Sequence, residues 1–192
     1  LPIDTRAKLV AMLGQDRVRD DNYERAFHAL GRSYHDLLKL RAGELSTAPD
    51  AVLYPRGTDE VIALLAFAAE NDVAVVPYGG GTSVVGAVNA DRGKFHSVVT
   101  LDLSGMDRLI EIDTTSHTAT AEAGIYGPAL EKGLQAKGMT LGHYPQSFEL
   151  STLGGWIAHR GAGQGSGRYG RAEDWLVDSK LATPHGLLDT NG

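Results

Sequence analysis

The chain contains no cysteine, which excludes a disulfide scaffold, thiol catalysis and any Cys-ligated metal. It also lacks a basic run. Its 18 Lys and Arg stand against 24 Asp and Glu, a net charge of −6, and this argues against nucleic acid as the main partner. No apolar stretch approaches the length needed to span a bilayer. The opening residues LPIDTRAKLVAMLGQD carry charges inside their apolar part and show no cleavable signal pattern. The first residue is Leu rather than Met, which reads as a chain trimmed at its start. The absence of cysteine fits a reducing, cytoplasmic setting, with peripheral membrane association left open.

What is present is apolar residues and glycine. With 42% hydrophobic residues in 192, the chain has material for one large domain or two small lobes. Its 24 glycines are about double the average usage. They cluster in two places, residues 79–86 and 154–170.

Residues 4–13 and 21–40 read as helices. In the second, Phe27, Leu30, Tyr34, Leu37 and Leu38 fall at helical spacing, with Gly31 as a break. From Ala51 the texture changes. AVLYP is a short strand, residues 58–72 an amphipathic helix capped by Thr58 or Asp59, and VAVVPYG a second strand. Together these form a β-α-β unit with the first glycine cluster leaving its second strand. HSVVTLDLS follows, and residues 108–124 alternate with period two around a turn at Thr115-Ser116. YGPALEKGLQAKG is a helix with Pro128 in its first turn and Gly138 just past its end. STLGGWIAH suits a short helix, and residues 174–190 two strands joined by a Pro-His-Gly turn. The pattern predicts an α+β fold with one β-α-β lobe followed by a mixed second lobe.

Three glycine motifs bear on anion binding. Gly81 and Gly86 have P-loop separation, but Ala87 and Val88 stand where Lys and Ser or Thr are needed. Gly165, Gly167 and Gly170 match the dinucleotide fingerprint, and Asp189 follows at the distance of a ribose-binding acid, yet neither a strand before nor a crossover helix after them is evident. PYGGGTS, residues 77–83, does follow a strand. No Lys or Arg lies between Pro77 and Val88, so an anion bound there would meet backbone N–H groups and the hydroxyls of Thr82 and Ser83. The plainer alternative is a mobile turn. Gly154 and Gly155 lie inside an apolar helical stretch, where each costs about 1 kcal/mol relative to Ala. Close packing against a flat ligand or against a neighbouring strand would offset that cost.

Residues 48–88, APDAVLYPRGTDEVIALLAFAAENDVAVVPYGGGTSVVGAV, resemble the opening of the FAD-binding domain of the vanillyl-alcohol-oxidase flavoprotein superfamily. TLGHYPQSFELSTLGGWIAHRGAGQGSGRYGRAEDWLV is similar to the alkyldihydroxyacetonephosphate synthase branch and its bacterial FAD-linked oxidase relatives. The resemblance implies a two-lobed FAD-binding domain of the PCMH/vanillyl-alcohol-oxidase type over residues 48–192, preceded by a helical segment, 1–47. It implies that Pro77, Tyr78, Gly79, Gly80, Gly81, Thr82 and Ser83 wrap the FAD pyrophosphate. Pro145, Gln146, Ser147, Ser151, Thr152 and Gly155 would border the flavin and its chain, and Ala158, His159, Arg160 and Gly161 would complete that wall. Gln146 departs from the acid usual in the synthases. The loop holds no His, so the FAD is expected to be non-covalent. The family's later parts, with the substrate-binding cap and the catalytic acid/base groups, fall outside this sequence, which reads as an N-terminal portion with no catalytic residue assigned.

On this reading the full protein is an FAD-dependent oxidoreductase or a synthase-like flavoenzyme acting on a small molecule brought by the cap. A homodimer is compatible with it. The rivals are a non-catalytic nucleotide-binding module, a D-lactate- or glycolate-type flavin dehydrogenase, and a nicotinamide enzyme using residues 165–170. His28 and His35, seven apart, have no carboxylate completing a ligand set, and metal sites need three or four converging ligands. His143 stands beside the implied flavin wall, where it would bond the cofactor or cap a strand. Arg160 would pair with a phosphate or face solvent. Trp156 and Trp175 suit a core or a lobe interface better than a base-stacking platform.

Overall fold

The structure, a computed structural model, describes residues 1–45 and 47–190. Helix α1 (Ile3–Leu13) leads through a 3-10 turn into a two-residue strand, β1 (Val18–Arg19). Helices α2 (Asn22–Phe27) and α3 (Tyr34–Ala42) follow, then β2 (Ala51–Leu53), α4 (Thr58–Glu70), β3 (Val73–Tyr78) and β4 (Ser97–Asp102). The second part holds the hairpin β5 (Leu109–Asp113) and β6 (Thr118–Ala121), α5 (Gly127–Gln135) and α6 (Leu153–Ala158). Two single turns, α7 (Ser166–Tyr169) and α8 (Ala172–Trp175), precede a last hairpin of β7 (Lys180–Thr183) and β8 (Gly186–Asp189).

The first sheet runs β1-β2-β4-β3, parallel except for β1. Strand β4 is buried along its whole length and separates the two strands of the β-α-β unit. In its run SVVTLD the apolar Val98, Val99 and Leu101 and the polar Ser97, Thr100 and Asp102 are all buried, as in a parallel strand covered on both faces. Leu9, Leu13 and Val18 of the N-terminal segment share this core with Leu53, Leu64 and Val99. Fully burying each such side chain contributes about 1.5–3 kcal/mol. A second core gathers Ile125, Leu130, Leu134 and Trp156, with Phe148 packed against it.

Several local expectations meet corrections. The helical stretch over 21–40 is two helices, parted around Gly31 where the sequence offered a break. A Cβ on Gly31 would overlap the Ser83 carbonyl, so the backbone itself packs there. Ser33 and Asp36 then start α3 with a reciprocal capping box. With the helix interrupted over 28–33, the single helical register that would align these apolar residues is lost. Leu30 is buried, whereas Phe27, Tyr34, Leu37 and Leu38 are exposed. Helix α4 is capped by Gly57, with no side-chain bond from Thr58 or Asp59. Residues 172–175 form a helical turn, and the strand expected from 174 begins only at Lys180. The glycine fingerprint at 165–170 lies on the one-turn α7, reached by an irregular segment. The strand–turn–helix context that gives the motif its meaning is absent. Gly138, with φ of 70°, ends the α5 region as expected, and the turns at 114–117 and 184–185 join their predicted strands.

Candidate cofactor site

The first glycine cluster leaves β3 at its carboxyl end, where ligands gather in parallel sheets. It is packed, not mobile. A Cβ on Gly79 would overlap Thr152 Oγ1, and one on Gly80 would overlap the Leu150 carbonyl. Gly81 has φ of 66°, and a Cβ there would overlap the Tyr78 hydroxyl beneath it. The bare backbone thus lies directly on residues 150–152, which head α6. Two glycine-rich regions far apart in sequence share one contact.

Among the described residues, none accepts a hydrogen bond from the N–H groups of Gly79, Gly80, Gly81, Thr82 or Ser83. Five successive N–H donors without an acceptor, three of them on a glycine bend, are of the kind that suits an anion. Thr82 keeps its hydroxyl unspent, whereas Ser83 Oγ already accepts from the Ala87 amide at 3.1 Å. The floor is Tyr78, 2% exposed, whose hydroxyl has no partner among the described residues. Its ring lies 4.5 Å from that of His28. Burial pushes the Tyr78 phenol up to about 12, with Arg32 pulling the other way. His28, 1% exposed, joins its Nε2 to Asp102 Oδ2 at 2.9 Å and its Nδ1 to the Glu24 carbonyl at 2.8 Å. This pairing was not foreseen from sequence. The spacing to His35 suggested a shared helix face, but His35 belongs to the separate helix α3.

The wall is built from 142–152 and the turn after α6. Thr152 caps α6 through the Gly155 amide, and Trp156 Nε1 donates to Ser151 Oγ at 2.7 Å, which donates on to the Ser147 carbonyl. Gly154 answers to packing: a Cβ on it would lie 2.7 Å from the Ala123 Cβ. Gly155 meets only Thr152 Oγ1 at 3.4 Å and leaves open space. Gly161 and Gly163 bring the chain back against His143, Tyr144 and Pro145. His143 is buried between Trp156 and Trp175, with ring centroids 4.7 and 5.5 Å away, and among the described residues neither ring nitrogen has a partner. It neither bonds a neighbour nor caps a strand. Burial, with His159 adding, holds its pKa below the usual value. Gln146, Ala158, His159 and Arg160 are exposed. Arg160 is ion-paired with Glu173 at 3.0 Å and is 74% exposed on its side chain.

The unspent amides, the orphaned phenol and the close approach of residues 79–80 to 150–152 fit a diphosphate held by backbone dipoles, and so a dinucleotide laid along two lobes. That places the chain among nucleotide-binding proteins of α+β type. It belongs to the FAD binding domain family, whose model matches residues 49–191. The chain is 39% identical over 184 residues to the alkyldihydroxyacetonephosphate synthase of Trypanosoma brucei brucei, covering 95% of this chain and 30% of that protein. It is 26% identical to glycolate oxidase subunit GlcD of Bacillus subtilis over 98% of this chain and 38% of that one. A solved alkyldihydroxyacetonephosphate synthase superposes with a TM-score of 0.94 at 36% identity, over 100% of this chain and 35% of the other. A Physcomitrella patens BBE-like protein, 20% identical with a TM-score of 0.73, shares the fold. The chain therefore spans about a third of the length of the relatives it matches. The cofactor class is FAD, and the two-lobed PCMH-type architecture is as the sequence suggested.

Proposed function

We propose that this chain is the FAD-holding part of a flavoenzyme of the alkyldihydroxyacetonephosphate-synthase-like branch. When bound, FAD would supply redox or covalent-adduct chemistry at its ring, and the protein supplies position and electrostatics. The amides of Gly79 to Ser83 bind the diphosphate, with Thr82 donating from its side chain. Thr152, Gly155 and the 145–147 segment line the path toward the flavin. The observation that carries the reading is the cluster of unspent N–H groups set directly against residues 150–152. With no basic residue in the loop sequence, fixed dipoles are the means of neutralising a dianion there.

The synthase branch is favoured by 36–39% identity, against 26% for the glycolate oxidase subunit. The substrate class is then an acyl-dihydroxyacetone phosphate exchanging its acyl group for a fatty alcohol, brought by a cap domain. A 2-hydroxy acid dehydrogenase is the second reading, favoured by Gln146, which departs from the acid of the synthases. The purified full-length protein is expected to be yellow and to release FAD on denaturation. A colourless protein that cannot be reconstituted with FAD overturns the proposal. Anaerobic bleaching of the flavin by 2-hydroxy acids would select the second reading.

A further inference from the structure

The five-amide cradle has a cationic neighbour that comes from elsewhere in the chain. Arg32 lies on the connection between α2 and α3, some fifty residues before the loop. Its backbone N–H donates to the Ser83 carbonyl at 2.7 Å. The preceding residue, Gly31, packs its bare backbone against that same carbonyl, since a Cβ there would overlap it. The Gly31 amide donates to Asn89 Oδ1 at 3.0 Å, and Asn89 in turn donates to Asp36 Oδ1 at 3.2 Å. The Ala90 amide donates to the Ala29 carbonyl at 3.3 Å. Residues 29–36 are thus fastened to both ends of the segment that follows the glycines.

That fastening fixes where the Arg32 charge sits. Its Nη1 donates to the Gly31 carbonyl at 3.1 Å, so the guanidinium is folded back onto the backbone of the residue that packs on Ser83. Its charge lowers the pKa of the Tyr78 phenol beneath Gly81, against the burial that raises it. Arg32 is half-buried and, among the described residues, has no carboxylate within ion-pair distance. Asp36, the nearest acid in sequence, spends its carboxylate on Ser33 and Asn89. A half-buried guanidinium held without a counter-ion is suited to a phosphate, which it can meet through two parallel N–H groups.

We infer that Arg32 is the side-chain cation of the pyrophosphate cradle, so that the α2–α3 connection is part of the cofactor site. The inference rests on the FAD reading above. It adds that charge from the N-terminal segment, beyond loop dipoles, sets affinity for the diphosphate.

The test measures binding of FAD and of riboflavin, which lacks phosphate, to the full-length apoprotein by flavin fluorescence at several NaCl concentrations. With Arg32 in contact, FAD affinity falls as salt rises, because screening weakens a charge pair, while riboflavin affinity does not. Arg32→Gln and Arg32→Met are expected to lose about tenfold or more in FAD affinity, to lose that salt dependence, and to keep the wild-type riboflavin affinity. Wild-type FAD affinity in either variant, or FAD binding by the unaltered protein that ignores salt, overturns the inference. The salt measurement needs no variant and stands even if both variants fold poorly. Failure of the unaltered protein to bind FAD at all would instead remove the functional proposal itself.

Discussion

Gly80 lies so close to Leu150 that a side chain of any size at position 80 would occupy the space of the Leu150 carbonyl. The contact joins the loop after β3 to the head of α6 and fixes how closely the two backbones approach. On the proposed function, an anion at 79–83 and a ring along 150–155 would be held at a spacing determined by backbone on both sides. Loss of that contact changes both the fold and the site.

Gly80→Ala is expected to cost about 1–3 kcal/mol of stability, because the opposing atoms are backbone and cannot swing aside. It should also abolish FAD uptake by the full-length protein. Gly167→Ala is the control. Nothing lies within 4 Å of its Cβ position, so stability should stay within about 0.5 kcal/mol of the starting protein. Thermal melts and bound-flavin absorbance on both variants check this. Equal behaviour of the two would refute the packing argument.

His28 joins α2 to the end of β4 through Asp102, with both side chains nearly free of solvent. Asp102 also accepts from the Ser104 amide at 2.8 Å. Asp102→Ala leaves the imidazole nitrogen and that amide without an acceptor, which should cost about 1–3 kcal/mol for each group left unsatisfied. Urea unfolding gives the number. Because His28 supports the Tyr78 ring, the variant should also weaken FAD binding, while Arg92→Ala, which breaks a far more exposed pair with Asp50, should not.

Burial favours the neutral form of His143. A histidine with a folded pKa below its unfolded value, about 6.5, contributes stability that is complete above that pH. The contribution falls as acidification passes from there through the lower folded value, since the unfolded chain takes up the proton more readily. His143→Phe keeps the packing between Trp156 and Trp175 and removes the titration. The variant's melting temperature should therefore decline less than the parent's between about pH 6.5 and 4.5. Parallel curves would show that His143 does not carry this dependence.

Much of this was legible in the sequence. PYGGGTS after an apolar strand and the paired Gly154-Gly155 named the two regions that meet, and period-two alternation located the hairpin of β5 and β6. What could not be read was how separate pieces converge. No spacing rule links Arg32 to Ser83 or His28 to Asp102, because those contacts depend on how α2 and α3 turn about Gly31. Conversely, the apolar residues of that region suggested one buried helical face. The Ser33–Asp36 capping box starts a second helix instead, and of Phe27, Leu30, Tyr34, Leu37 and Leu38 Leu30 alone is buried. Tyr78 shows the same limit. As a strand residue it reads as core, and only the φ of Gly81 places its hydroxyl under the loop.

The last prediction concerns Glu131, 4% exposed on α5. Its carboxylate accepts from Thr140 Oγ1 at 2.9 Å, from the Leu141 and Gly142 amides at 2.9 and 3.4 Å, and from Gln135 Nε2 at 3.3 Å. These bonds pin the turn that delivers His143, Tyr144 and Pro145 to the wall, so Glu131 is a positioning residue. Glu131→Gln replaces one acceptor oxygen by an NH2 that faces donors. A cost of about 1–3 kcal/mol should follow, lowering the melting temperature by about 2–4 °C per kcal/mol. If its role is to place the wall, FAD affinity in the full-length protein should fall as well, with near-ultraviolet dichroism of Trp156 and Trp175 altered because His143 packs between them. A variant that melts early yet binds FAD with unchanged affinity and unchanged tryptophan signal would confine Glu131 to holding α5 in place.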